Sequence, residues 1–215
     1  MTKSEIRSFV KGLVRGISVE ERTRFSEALK EEVVGLECWR SAKEVMLFFS
    51  LPDEVDMLPL IRAALAEQKR LYLPRVIATK VSRDVNVCEV AEGNTLPKER
   101  TLPAGDTVSC EEMILEVREL APGQLALGRW GIWEPTDEAP LLSDYSRLDL
   151  VVVPGVAFSS DGKRLGRGKS FYDRFLPLVP RAAFVGVCYP CQVVEQIPAD
   201  PWDIGMDIVC CGEKR

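Results

Sequence analysis

Apolar residues recur at two different spacings along the chain. Near the start they follow helical spacing, which predicts an amphipathic helix over residues 4–16. Ser18 and Glu21 have the spacing of a capping box, so a second helix is predicted from there to about Cys38. Farther along, apolar residues form short unbroken runs, which are typical of strands buried on both faces of a sheet.

These runs predict two β-α-β units, and their strands should be parallel because a helix joins each pair. The first unit consists of strand 45–49, helix 57–68 with Pro59 in its first turn, and strand 70–76. The second unit consists of strand 148–153, helix 170–178 and strand 183–189.

The region between the two units has a weaker pattern. It predicts a strand over 85–90, a long surface loop over 91–109 and a short helix over 111–120. The sequence has no internal repeat and no linker rich enough to mark a boundary. It therefore predicts a single α/β domain over residues 1–215, with a mostly parallel sheet flanked by helices in three layers.

Composition excludes several classes of protein. Of the 215 residues, 46% are hydrophobic and 28% are charged, which is ordinary for a globular protein and excludes collagen-like or wholly disordered chains. A net charge of −5 disfavours a nucleic-acid-binding protein, since such domains are usually basic. The chain contains no histidine, which removes histidine-based triads and zinc motifs.

Seven cysteines, an odd number, are expected to be free thiols in a reducing cytoplasmic location. The N-terminus lacks the apolar stretch of a signal peptide, and no apolar run has the length of a membrane span, so no membrane partner is expected. Cys188 and Cys191 have CxxC spacing, and Cys210 and Cys211 could add zinc or redox ligands. Because no second CxxC follows at ribbon spacing, we favour structural thiols.

One segment combines glycines with positive charge in an otherwise acidic protein. Four cations fall within seven residues and alternate with glycines; they are Lys163, Arg164, Arg167 and Lys169, with Gly162, Gly166 and Gly168. The segment follows a predicted buried strand and opens a helix, which is where open α/β sheets bind ligands. Glycines admit a phosphate close to the backbone, so an anion site is predicted; a solvated basic turn is the alternative.

General phosphate-binding motifs do not fit this segment. A P-loop ending at Gly168-Lys169-Ser170 would need its first glycine at position 163, which is a lysine. A GxGxxG motif starting at Gly166 would need a third glycine where Phe171 stands.

The segment instead resembles the signature of the 5-formyltetrahydrofolate cyclo-ligases, also called 5,10-methenyltetrahydrofolate synthetases. The matching stretches are Pro154 to Phe158, Gly162 to Asp173, Lys3 with Arg7, Ser50 to Asp56, Gly131 to Pro135, and Gln192 to Asp207. Three features depart from the family pattern. Ser170 replaces a glycine, Asp56 replaces a glutamate, and Cys188-Tyr-Pro-Cys191 replaces a stretch that usually contains phenylalanine.

This resemblance implies a reaction that needs no histidine. Enzymes of the family convert 5-formyltetrahydrofolate to 5,10-methenyltetrahydrofolate with ATP and Mg²⁺. The formyl oxygen attacks the γ-phosphate, and nitrogen 10 then closes the ring as phosphate leaves. The implied partners are ATP and 5-formyltetrahydrofolate, polyglutamylated or not, without nucleic acid, and the protein is expected to be a monomer.

The resemblance also implies roles for individual residues. Lys169 and Arg164 would be the catalytic cations, and Asp173 and Asp203 would hold Mg²⁺. The residues expected on ATP are Lys3, Ser4, Glu5, Ile6, Arg7, Arg164, Leu165, Gly166, Arg167, Gly168, Lys169, Ser170, Phe171 and Tyr172. Those expected on folate are Leu51, Asp56, Arg167, Gly168, Lys169, Ser170 and Phe171.

Other interpretations stay open. Lys3 and Arg7 could be exposed helix charges, Asp173 could form a helix salt bridge, and Asp56 could cap a helix. Trp130 and Trp133 could stack on a planar ring, although packing or loop anchoring is the more common role of such residues. A P-loop-like NTPase or a nucleic-acid-binding module would each use the basic segment differently.

Overall fold

The computed structural model describes residues 1–84, 107–128 and 131–213. The helices are α1 (Lys3–Arg15), α2 (Val19–Val34), α3 (Glu37–Ser41), α4 (Leu58–Ala66) and α5 (Phe171–Phe175), with 3-10 turns at Tyr145–Arg147, Leu176–Leu178 and Pro190–Gln192. The strands are β1 (Glu44–Met46), β2 (Arg70–Asp84), β3 (Thr107–Glu119), β4 (Leu125–Leu127), β5 (Trp133–Pro135), β6 (Leu150–Pro154), β7 (Ala157–Ser159), β8 (Arg164–Leu165), β9 (Ala183–Val187), β10 (Val193–Val194) and β11 (Ile208–Cys210).

The backbone divides into two compact units. The larger unit contains residues 1–75 and 115–215, and the smaller contains residues 76–114. The single-domain organisation stays a prediction. Among the described residues no helix is long and apolar enough to cross a bilayer.

A six-stranded sheet has the order β11-β9-β6-β1-β2-β3. The pairs β11-β9, β9-β6, β6-β1 and β1-β2 are all parallel. The two predicted β-α-β units are therefore confirmed as β1-α4-β2 and β6-α5-β9. Strand β6 is completely buried over residues 150–153 because a parallel neighbour lies on each side and side chains cover both faces.

Two hydrophobic clusters cover the two faces of this sheet. Leu150 and Val152 belong to the cluster that contains the buried residues of α1, α2 and α4. Val151 and Val153 belong to the other cluster, which contains Phe175 of α5. Because successive residues of a strand point to opposite faces, helices lie on both sides of the sheet, and the predicted mostly parallel α/β fold is confirmed.

The N-terminal helices begin as predicted, but the second ends earlier. Ser18 and Glu21 form the expected capping box at the start of α2. Helix α2 ends at Val34, capped by Gly35, and not near Cys38, because Leu36 is extended and the chain restarts as the short helix α3. The spacing of apolar residues alone does not predict this break in the helix.

The helix predicted over residues 111–120 is wrong. These residues continue strand β3, in which the fully buried Val117 accepts a hydrogen bond through its carbonyl from the Leu142 amide. Apolar residues alternate with Glu116 and Arg118 here, a period that fits a strand better than a helix. The predicted strand 85–90 and residues 91–106 of the predicted loop lie outside the described residues, and residues 107–109 belong to β3.

A small antiparallel hairpin of β4 and β5 carries a buried carboxylate. Glu134 is 8% exposed, and a Cβ on Gly128 would lie 2.3 Å from its Oε2 atom, so this side chain lies directly over the glycine. Burial raises the pKa of the Glu134 carboxyl above its ordinary value, and Arg75 opposes this shift.

We expect Glu134→Gln to improve stability, and to improve it more as the pH rises. A raised folded pKa means that burying the ionised carboxylate costs free energy above that pKa, whereas both states are neutral well below the unfolded value of about 4.3. Urea unfolding of both proteins between roughly pH 4 and pH 7 measures the difference. The exposed Glu138→Gln is the control, and a Glu134→Gln difference that is constant with pH would contradict the prediction.

Candidate active site

The site lies where strands β1 and β6 end. These strands are parallel neighbours, so the loops that follow them emerge at the same edge of the sheet. One loop, residues 50–56, precedes α4. The other leads through the β7-β8 hairpin into the glycine-rich segment, residues 162–170, and then into α5.

Gly162 fixes the tip of the β7-β8 hairpin. Its φ of +85° is the left-handed conformation that favours glycine, and its amide donates to the Ser159 carbonyl at 3.0 Å. A Cβ there would lie 2.4 Å from the Met206 carbonyl, while the Met206 amide donates to the Gly162 carbonyl at 2.7 Å. Only glycine therefore lets the C-terminal stretch dock against this hairpin.

Arg164 is the buried cation of the segment. Its side chain is 4% exposed, and its Nη2 atom donates to Oδ1 of Asp173 at 2.5 Å. Its Nη1 atom donates to the Pro154 carbonyl at 3.3 Å, and the guanidinium lies 5.8 Å from the ring centre of Tyr172. Among the described residues, the buried Nε of Arg164 and the buried hydroxyl of Tyr172 have no hydrogen-bond partner.

The other three cations of the segment differ from Arg164 and from one another. Lys163 is exposed and pairs with Asp161 at 2.8 Å. Arg167 donates four hydrogen bonds to the carboxylates of Asp53 and Glu54, so it joins the segment to the 50–56 loop. Lys169 is exposed and forms no hydrogen bond or ion pair with any residue that the structure describes. Lys169 is therefore the cation of this segment that is available to an anionic ligand.

Helix α1 reaches the segment with two basic residues one turn apart. The Nε of Arg7 donates to the Gly166 carbonyl at 2.8 Å. Lys3 donates to Asp200 at 2.7 Å and also to Asp203. The structure thus brings the N-terminal helix, the glycine-rich segment and the C-terminal stretch together.

The neighbours of Lys3 and Arg7 on α1 are placed differently. Ser4 and Glu5 are exposed, and the Glu5 carboxylate accepts the Thr2 amide in a capping box, which lowers the pKa of Glu5. Ile6 is 2% exposed and belongs to the core, as does Leu165 of β8. A ligand could meet Ile6 and Leu165 only through their backbone atoms.

The two expected metal ligands, Asp173 and Asp203, each pair with a basic side chain. Asp173 accepts from Arg164, and Asp203 accepts from Lys3 and from the Asp200 amide at 2.7 Å. Partial burial acts to raise the pKa of Asp203, but the hydrogen bond from Lys3 and its charge outweigh burial and lower it. No cluster of three or more metal-binding side chains occurs within the described part of the chain.

The sequence model of the 5-formyltetrahydrofolate cyclo-ligase family matches residues 1–212. The chain belongs to this family. It is 26% identical to the Haemophilus influenzae 5-formyltetrahydrofolate cyclo-ligase, over 98% of this chain and 97% of that protein. It is 30% identical to the Escherichia coli K12 cyclo-ligase, over 80% of each chain.

Solved structures lead to the same family. The structure of Aquifex aeolicus 5,10-methenyltetrahydrofolate synthetase matches with a TM-score of 0.73 and 32% identity, covering 100% of this chain and 91% of that one. The Mycoplasma pneumoniae synthetase matches in fold, with a TM-score of 0.68 and 20% identity over 99% of this chain and 100% of that one. Like its named relatives, this member of the cyclo-ligase family is an enzyme of the ligase class.

Two of the residues expected to meet folate, Leu51 and Asp56, lie on the 50–56 loop. Leu51 is partly buried, and its amide donates to Oε2 of Glu54 at 2.9 Å. Asp56, the departure from the family's glutamate, is exposed, and its Oδ1 accepts from the Leu58 amide at 2.9 Å at the start of α4. In this structure Asp56 therefore makes a helix-capping contact.

Trp133 lies on the β4-β5 hairpin, and Cys188 and Cys191 follow strand β9. Trp133 is 51% exposed and pairs with Leu127 across the β4-β5 hairpin, and Trp130 lies outside the described residues. Cys188 and Cys191 form no disulfide bond within the described part of the chain, and burial raises the pKa of the Cys191 thiol.

Sequence reasoning missed the acidic partners of the site. Asp53 and Glu54 lie inside a stretch quoted for its match to the family, and Asp200 lies three residues before Asp203. Two consecutive carboxylates after a buried strand are a usable signal. The sequence does not reveal that their partner is Arg167, which lies 114 and 113 positions away from them.

Ser170 stands where the family has glycine, and its backbone explains the preference. Its φ of +52° and ψ of +23° are left-handed, a conformation that costs an L-residue about 1–2 kcal/mol. The greater freedom of glycine in the unfolded chain offsets part of this cost.

Ser170→Gly should therefore raise the free energy of unfolding by up to about 1 kcal/mol, or roughly 2–4 °C in Tm. Gly123→Ser is the matched reverse change, since Gly123 has a φ of +75° and no atom within 4 Å of an added Cβ, and it should lower Tm. Thermal unfolding measures both variants. A fall in Tm for Ser170→Gly would show that its hydroxyl stabilises the turn.

Proposed function

We propose that this protein converts 5-formyltetrahydrofolate to 5,10-methenyltetrahydrofolate, using ATP with Mg²⁺ and releasing ADP and phosphate. The observation that best supports this proposal is the meeting of Arg7, Arg164 and Lys169 at one glycine-rich segment at the carboxyl end of β6. Family membership supports the reaction, and this arrangement supports a phosphate site for it.

Phosphoryl transfer depends mostly on positioning and on stabilising negative charge. Lys169, exposed and without a partner among the described residues, can approach the transferred phosphoryl group. Arg164 is held rigidly by Asp173, and its Nε has no partner in the described part of the chain, so one buried donor remains for a phosphate oxygen. Arg7 and Lys3 would hold the outer phosphates.

The carboxylates of the site are proposed to hold a magnesium ion that is shared with a nucleotide. Mg²⁺ is usually held by one or two carboxylates together with substrate phosphates and water, so a cage made only of protein groups is not required. Asp173 and Asp203 are the proposed ligands. When bound, the metal would supply positive charge against the phosphates during transfer.

Folate would bind on the side of the 50–56 loop. Leu51 would offer apolar contact, Asp56 would accept hydrogen bonds from the pterin, and the backbone of residues 166–171 would adjoin the reacting formyl group. The formyl oxygen would attack the γ-phosphate as ADP leaves. Nitrogen 10 would then attack the formyl carbon and lose its proton, and the ring closes as the carbon–oxygen bond breaks and phosphate leaves. Binding of polyglutamylated folate, a monomeric state and a cytoplasmic location stay predictions.

The direct experiment uses purified protein with 5-formyltetrahydrofolate, with MgATP, with ATP and EDTA, and without nucleotide. We expect the absorbance of methenyl-folate to appear only with MgATP, together with one ADP for each product. Product formed equally without ATP, or no product in any arm, would contradict the proposed function.

Lys169→Ala should lower kcat by about 10²–10³-fold, the usual loss when one preorganised group that stabilises developing charge is removed. Lys163→Ala is the matched control, since Lys163 is an exposed lysine of the same segment that pairs with Asp161 at 2.8 Å. Steady-state kinetics of both variants, with melting curves to verify folding, provide the measurement. Equal activity of the two variants would show that Lys169 does not act in catalysis.

A further inference from the structure

We propose that Glu54 and Arg167 form a positioning clamp that fixes the 50–56 loop against the glycine-rich segment. In this proposal Arg167 acts through Glu54 and is not itself a ligand of the ATP phosphates or of folate. The proposal rests on the proposed function, because it assigns the two loops to folate and to ATP.

The hydrogen bonds of Arg167 are directed at protein carboxylates. Its Nε and Nη2 atoms donate to Oε1 of Glu54 at 3.2 and 2.9 Å. Its Nη1 and Nη2 atoms donate to the two oxygens of Asp53 at 3.1 and 2.7 Å. The planar guanidinium offers five N–H groups in a fixed fork, so these contacts occupy most of its capacity and fix its orientation.

Glu54 connects Arg167 to the loop that carries Leu51. Its Oε1 accepts from Arg167, while its Oε2 accepts from the Leu51 amide at 2.9 Å. Its carbonyl accepts from the hydroxyl of Tyr189, a residue that is 1% exposed. Glu54 is therefore fixed at three points, and one of them is a residue proposed to contact folate.

Burial makes Glu54 dependent on its arginine. The Glu54 side chain is 9% exposed, and a buried charge is tolerated only when it is paired and hydrogen-bonded. Burial raises the pKa of the Glu54 carboxyl, and the charge of Arg167 opposes that shift. Losing Arg167 would leave the buried Glu54 carboxylate without a charge partner, whereas losing Glu54 would leave Arg167 with Asp53.

Asp53 contacts the same guanidinium but is placed differently. Its side chain is 41% exposed, and no other side chain in the described part of the chain forms an ion pair with it. Exposed ion pairs contribute little, since water screens them and holding the side chains costs entropy. Asp53 therefore provides a control that removes one carboxylate from Arg167 without disturbing the loop.

The clamp would set the distance between the two reacting groups. Lys169 lies two residues beyond Arg167, and Leu51 lies three residues before Glu54, so one ion pair joins the proposed phosphate and folate sides. Transfer from ATP to the formyl oxygen requires these groups to be held near contact, and small displacements are costly. Loss of the clamp should therefore impair chemistry and folate binding more than ATP binding.

A double-mutant cycle tests this proposal, using Glu54→Gln, Arg167→Gln and the double variant, with Asp53→Asn as control. Each single variant should lower kcat/KM for 5-formyltetrahydrofolate by about 10–100-fold, and the double variant should lose no more than either. Affinity for ATP, measured by calorimetry without folate, should change less than about threefold in all of them, within the usual variation of single contacts. Asp53→Asn should stay close to wild type.

Two results would overturn the clamp. The first is a loss of kcat/KM in the double variant that equals the product of the two single losses, because Arg167 would then act independently of Glu54. The other is Arg167→Gln weakening ATP while Glu54→Gln leaves it unchanged, which would make Arg167 a nucleotide ligand. If Glu54→Gln does not fold, Glu54→Asp replaces it, since it keeps the charge but is too short to reach both Leu51 and Arg167.

Failure of the clamp can be separated from failure of the proposed function. If wild-type protein forms no methenyl-folate, the function is contradicted, and the cycle is then read from urea unfolding alone. Stability losses that are not additive support the ion pair as a structural unit, and additive losses overturn it.

Discussion

The buried guanidinium of Arg164 is the constraint on which the site depends. A charge that is 4% exposed must be paired where it lies, and Asp173 and the Pro154 carbonyl pair it. These two contacts fix the hairpin strand β8 to the end of β6 and to the first turn of α5. Gly155 and Gly166 leave the room that this requires, since a Cβ on them would lie 3.3 Å and 2.9 Å from atoms of Arg164.

The cations of the glycine-rich segment lie at different depths in the protein. Arg164 is buried beside its carboxylate, Arg167 is held by two carboxylates of another loop, and Lys169 extends into solvent. A count of four cations in seven residues overstates the charge that a ligand would meet. What the fold presents is a rigid glycine-lined backbone with few available cations, an arrangement that suits charge developing at one place.

The parts of this architecture that are periodic or buried were predictable. The N-terminal helices and the two β-α-β units follow from apolar spacing, because burying one stripe of a helix or both faces of a strand requires it. The prediction over 111–120 failed because a few apolar residues fit either period, and strand pairing decided the outcome. Pairs such as Lys3 with Asp203 and Arg167 with Glu54 join distant positions, and only the fold brings them together.

Under the proposed function, the ion pairs of the site also constrain how ligands enter. Asp203 is neutralised by Lys3 and Asp173 by Arg164, so each proposed metal ligand is held by a cation proposed to bind phosphate. A metal ion alone would have to displace these cations, which would leave Arg164 without a carboxylate and Lys3 with Asp200 alone. Phosphates alone would take the same cations away from the carboxylates. A metal–nucleotide complex satisfies carboxylates and cations together. The arrangement therefore favours joint entry of metal and nucleotide.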